Sequence, residues 1–153
     1  MLLKVENLVR HFGKVRAVDG ISFALQGGEV LGFVGPNGAG KTTAMRVIAT
    51  LDEATAGDVL INDVSLLDYP EAGRRQIGFM PDDLPAHADM TAHEYVDFFG
   101  RAFGLRGAQL RTAVAEVEDF TGITAISKKN LKSLSKGMKQ RVSLARALVH
   151  NPQ

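Results

Sequence analysis

The chemistry of this chain is most legible in Gly35-Pro36-Asn37-Gly38-Ala39-Gly40-Lys41-Thr42-Thr43, which fits the phosphate-binding pattern G-x-x-x-x-G-K-[ST]. A polyphosphate is densely anionic, and backbone N–H groups that close around it hold it well, as does a helix N-terminus whose dipole faces it. Glycines at 35, 38 and 40 let the backbone come that close. Lys41 then reaches the outer phosphates as a point charge, and the Thr42 hydroxyl is placed to coordinate Mg²⁺.

Such a loop must sit between a strand and a helix. The apolar run Val30-Leu31-Gly32-Phe33-Val34 precedes it, and reads as a strand buried on both faces. Ala44, Val47, Ile48 and Leu51 follow at the spacing of one helix face, predicting a helix over 41–51. Upstream, Leu3 and Val5, then Ile21, Phe23 and Leu25, alternate with other residues as half-exposed antiparallel strands do, with a turn at Gly27-Gly28. Downstream, Val59-Leu60-Ile61 and Ile77-Gly78-Phe79-Met80 read as two further short strands.

From about residue 90 the period becomes helical. Thr91-Ala92-His93-Glu94 has the form of a capping box, and Tyr95, Phe98, Phe99 and Phe103 follow as an aromatic stripe expected in a core. A second helix is predicted over about 108–120, with Leu110, Val114, Val117 and Phe120 on one side and Gly122 as its stop. A third opens at Ser135, a good N-cap, and carries Met138, Val142, Ala145, Leu148 and Val149 on one face until Asn151-Pro152. Strands first and helices later predict an α/β body with a separate helical lobe.

Composition narrows the classes. The chain has 153 residues, 45% hydrophobic and 23% charged, with a formal net charge of +1. That is an ordinary soluble-protein balance with no electrostatic reason to expect nucleic acid as the main partner. Lys128, Lys129, Lys132, Lys136, Lys139 and Arg141 cluster, and read first as a solvated face. Absence of cysteine excludes disulfides and thiolate metal sites. No apolar run has the length of a membrane span, and the N-terminus lacks a signal-peptide pattern. His11, His87, His93 and His150 show no metal-ligand spacing, and no local motif suggests a Ser-His-Asp site.

About 95 residues after the glycine loop, Leu134-Ser135-Lys136-Gly137-Met138-Lys139-Gln140-Arg141 opens the last helix. This pairing resembles the nucleotide-binding subunits of ABC transporters, whose signature has the form Leu-Ser-Gly-Gly-Gln. The likeness runs the length of the chain. Phe12-Gly13 falls where the family has an aromatic that stacks on adenine, Gly28-Glu29 where it enters the P-loop strand, and Ile77 to Pro81 where it approaches the Q-loop. Ser135-Lys136-Gly137-Met138 and Pro81-Asp82-Asp83 look like ABC-2-type exporters, of the Na⁺-efflux branch in particular.

The resemblance implies a P-loop NTPase core with an N-terminal antiparallel β subdomain and an inserted helical subdomain. Its expected bounds are 1–85 for the β and P-loop part, 86–134 for the helical part and 135–153 for the signature helix. It implies Mg-ATP as ligand and a head-to-tail dimer in which Ser135 and Gly137 of one chain face the γ-phosphate on the other. It further implies a membrane permease as partner, at the cytoplasmic face of the membrane. Asp82 stands where the family has the Q-loop glutamine and is expected as a second Mg²⁺ ligand, since a carboxylate is a hard oxygen donor.

Lys136 and Met138 depart from the signature glycine and glutamine, while Ser135 and Gly137 remain. The family's acidic strand, expected just after the signature helix, has no counterpart up to Gln153, so the chain reads as the N-terminal part of a longer ATPase. Without that carboxylate to polarise the attacking water, residues 1–153 alone are expected to bind ATP without appreciable turnover. An ABC-type ATPase working on ribosomes or DNA, and a binding-only fragment, are the alternative readings.

Overall fold

A computed structural model describes residues 2–81, 84 and 89–152. Asp82, expected as a metal ligand, lies outside the described residues, as does His87. The chain divides into two compact units, residues 1–76 and 77–153.

The first unit contains β1 (Leu3–Phe12), β2 (Val15–Leu25), α1 (Lys41–Ile48), β3 (Ala56–Ile61), β4 (Val64–Ser65) and α2 (Pro70–Arg74). The four strands form one sheet in the order β2-β1-β3-β4, with every neighbour antiparallel. Val5 lies opposite Phe23 on one side and Val59 on the other. Val5 and Leu8 are both buried although three residues apart, which an unbroken strand would place on opposite faces. A bulge between them resolves this: the register shifts there, Asn7 takes φ +46°, and its N–H donates to Ser22 Oγ at 2.8 Å. Val5, Leu8, Val18 and Val59 are buried, as are Ala44 and Val47 of α1, which packs on β1 and β2.

The expected strand at Val30–Val34 is absent. The segment has no ladder partner among the described residues, and Val30 and Val34 are each 97% exposed. An apolar run records a preference for burial, while a strand also needs neighbours to accept its backbone hydrogen bonds. Phe33 alone makes a ring contact, edge-on to Phe23 at 5.4 Å. Ile77–Met80 likewise forms no strand.

The second unit contains α3 (Ala92–Ala102), α4 (Gly107–Phe120) and α5 (Lys136–Leu148), with two short 3-10 turns at Thr124–Ile126 and Leu131–Ser133. Tyr95 and Val96 of α3, Leu110 and Val114 of α4, and Val142, Ala145 and Val149 of the α5 region meet in its core with Ile123 and Leu131. The capping box forms in full: Thr91 Oγ1 accepts from Glu94 N–H at 3.2 Å, and Glu94 Oε2 accepts from Thr91 N–H at 2.8 Å. The Thr91 N–H bond, with a second from the Thr91 hydroxyl to Glu94 Oε2 at 2.9 Å, holds the Glu94 carboxyl below the usual carboxylate range, the backbone bond contributing most.

Two of the expected core aromatics are exposed, Phe98 at 51% and Phe120 at 76%. On helices with 100° per residue, each lies roughly a third of a turn away from the centre of its buried face. Thr121, in the turn that Gly122 closes at φ +65°, occupies the inward position instead. Phe103, just beyond α3, stacks on His150 with ring centres 3.7 Å apart. His150 Nε2 lies 3.1 Å from the Ile77 carbonyl, and burial pushes the imidazole pKa below its usual value against the opposing effect of that bond. No helix of the described residues is long and apolar enough to cross a membrane.

Candidate functional site

The glycine loop enters α1 at Gly40, which takes φ +81° as the N-cap. Any Cβ at Gly40 would run into the carbonyl oxygen of Ala17 on β2, so only glycine permits this approach. Ala17 lies beside the β1–β2 turn, where Phe12 pairs with Val15, so the loop and Phe12 occupy the same end of the hairpin. Gly38 also takes a left-handed conformation, φ +83°, but with open space around it.

Helix α1 begins without a side-chain cap and with no acidic residue in its first turn. Its leading N–H groups have no intrahelical acceptors, which leaves them for an anion. Lys41 folds over the loop, its Nζ donating to the Gly35 and Pro36 carbonyls at 2.7 Å each. Thr42 is exposed and Thr43 half-buried, and Asn37 and Ala39 lie in the exposed turn between the glycines. The donor set of this turn fits a Mg-polyphosphate: amides and an ammonium for the phosphates, and a hydroxyl as a hard oxygen for the metal.

Phe12 is 47% exposed at the end of β1. Sequence reasoning did not reach its neighbours. The guanidinium carbon of Arg10 lies 4.3 Å from the Phe12 ring centre, and Arg10 Nη2 donates to Asp52 Oδ1 at 2.6 Å. The two-residue spacing of Arg10 and Phe12 on a strand was the available signal; the contact with Asp52, 42 positions away, left none.

In the second unit Ser135 caps α5, its Oγ accepting from Met138 N–H at 3.3 Å. Ser135, Lys136 and Gly137 are all exposed, so the positive end of α5 opens to solvent. Lys128, Lys129 and Lys132 are exposed nearby in sequence, and Lys132 pairs with Asp89 at 3.2 Å. Glycine loop and signature turn thus fall in different units of the chain.

A family model described as ABC transporter matches residues 18–153. The linearmycin resistance ATP-binding protein LnrL of Bacillus subtilis (strain 168) is 34% identical over 152 residues, covering 99% of this chain and 49% of that protein. The Nod factor export ATP-binding protein I of Ralstonia nicotianae is 32% identical over 151 residues, covering 99% and 47% respectively. The chain therefore spans about half the length of these curated relatives. Among solved structures, the dimeric ATP-binding cassette MJ0796, in a post-hydrolysis state bound to ADP and Pi, superposes with TM-score 0.85 at 27% identity, covering 99% of this chain and 71% of the other. The likeness places the backbone in the expected α/β P-loop NTPase fold class.

Proposed function

We propose that this chain, which belongs to the ABC transporter family, is the ATP-gripping part of an export motor. The observation that carries the reading is the loop from Gly35 to Thr43: an uncapped helix start, a glycine pressed against β2, and a lysine held over the loop. In this role the amides from Gly38 to Thr43 enclose the phosphates, and Lys41 balances the outer charge. The Thr42 hydroxyl, with Asp82, would hold Mg²⁺, which when bound screens the phosphate charge. Phe12 stacks on the adenine.

Ser135 and Gly137, at the exposed start of α5, reach the γ-phosphate held by a second ATP-binding subunit, so that nucleotide joins a head-to-tail dimer. A membrane permease at the cytoplasmic face converts closing and opening of that dimer into transport. A relative named for Nod factor export supports an exporter, and the likeness of Ser135 to Met138 and Pro81 to Asp83 makes the ABC-2 type the reading to test. The resemblance of Ser135 to Met138 and Pro81 to Asp83 to the Na⁺-efflux branch makes Na⁺ the cargo to test first, although the choice of cargo falls largely to the membrane partner.

Calorimetry with Mg-ATP on the wild-type chain and on Lys41→Ala tests the core of this reading. Binding lost with Lys41 is the expected result; equal binding by both proteins would sink it. Residues 1–153 alone are expected to bind without turning over, so steady phosphate release abolished by Lys41→Ala would refute that part.

A further inference from the structure

The surroundings of the Phe12 ring carry an inference that rests on reading Phe12 as the adenine platform. Arg10 and Phe12 share one face of β1, and the guanidinium carbon lies 4.3 Å from the ring centre. Arg10 and Asp52 leave only a fifth of each side chain exposed, and they are joined by one 2.6 Å hydrogen bond from Nη2. An arginine placed for its ion pair alone gains most by presenting two parallel N–H groups to the carboxylate. Arg10 instead keeps a buried Nε–H with no hydrogen-bond partner among the described residues. Its position is better explained by the ring it covers, where a desolvated guanidinium gains from the π face.

The other end of the pair is equally fixed. Asp52 Oδ1 also accepts from Glu53 N–H at 2.9 Å. Thr55 binds the same loop to β1: its N–H donates to the Val9 carbonyl at 2.7 Å, and its Oγ1 accepts from His11 N–H at 2.9 Å. This loop is the exit from α1, the helix that begins at Lys41.

We propose that Arg10 is a positioning residue for the nucleotide's base. It covers one face of Phe12, leaves the exposed remainder to a purine, and through Asp52 ties the ring to the exit of the phosphate-binding helix. The cation behind the ring draws on its π density, which favours stacking of an electron-rich purine on the front.

The test compares Mg-ATP with Mg-triphosphate, the inorganic ligand that lacks a base, by calorimetry on the full chain. Arg10→Met is expected to weaken ATP roughly three- to tenfold and to leave triphosphate within about twofold. Arg10→Met/Phe12→Ala is expected to bind ATP no worse than Phe12→Ala, because Arg10 acts through the ring. Arg10→Lys, which keeps the pair with Asp52 but loses the planar face, is expected to fall between wild type and Arg10→Met. The readout is the ratio of the two affinities, which partial unfolding does not move because both ligands need the folded loop. Lys41→Ala lowers both affinities if the phosphate-loop reading is right. An unchanged ratio in Arg10→Met, or additive losses in the double variant, overturns the role of Arg10 while leaving that reading intact. No ATP binding by the wild-type chain overturns both.

Discussion

Replacing Gly40 by alanine separates two demands that a phosphate loop makes on its glycines. At φ +81° a side chain is disfavoured by about 1–2 kcal/mol. The added methyl would also meet the Ala17 carbonyl, a backbone atom held in the sheet, so α1 or β2 must shift. Forced displacement of this kind adds about 1–3 kcal/mol. The total, about 2–5 kcal/mol, is a large share of what holds a small unit together. Gly38→Ala is the control. Its φ is +83°, yet nothing lies within 4 Å of the new methyl, so only the conformational part applies, about 1–2 kcal/mol. Thermal or urea melts of the two variants, with triphosphate titration at a temperature where both are folded, measure the difference. Gly40→Ala is expected to melt earlier and to bind at least tenfold more weakly than Gly38→Ala. Equal behaviour of the two variants would refute the claim that close approach to β2 shapes this loop.

Two further outcomes follow from the second unit. Thr91→Ala removes one arm of the capping box and should destabilise α3 by about 1 kcal/mol; a melt unchanged to within a few tenths would contradict it. The lowered pKa of His150 means that below about 6.5 the unfolded chain takes up a proton that the folded chain resists. Stability from this residue is therefore intact above that pH and declines as pH falls through the window below it. His150→Gln should flatten the fall in melting temperature between pH 7 and pH 5, and parallel curves for the two proteins would rule the effect out.

Local signals were the legible ones. The capping box at Thr91, the N-cap at Ser135, the stop at Gly122 and the glycine loop each depend on residues within a few positions, and the folded chain keeps all four. Antiparallel pairing of β1 and β2 was also readable, because alternation implies one covered face. The failures came where partners decide. Val30–Val34 has the composition of a buried strand but no neighbour to pair with among the described residues. Phe98 and Phe120 have core residue types at angular positions that miss the core. The Arg10–Asp52 contact joins positions that no periodicity relates.

The two bonds from Lys41 to the Gly35 and Pro36 carbonyls have a kinetic meaning. A free lysine side chain loses up to about 2 kcal/mol of rotamer entropy when it is fixed. Here the chain's own loop has already fixed it, so an incoming anion meets an ammonium that is aimed rather than wandering. In the proposed phosphate-binding role, capture would then need no search among the side-chain rotamers of Lys41. In rapid mixing, the association rate should fall steeply with added salt, and a rate indifferent to salt would show that the aimed lysine does not guide capture.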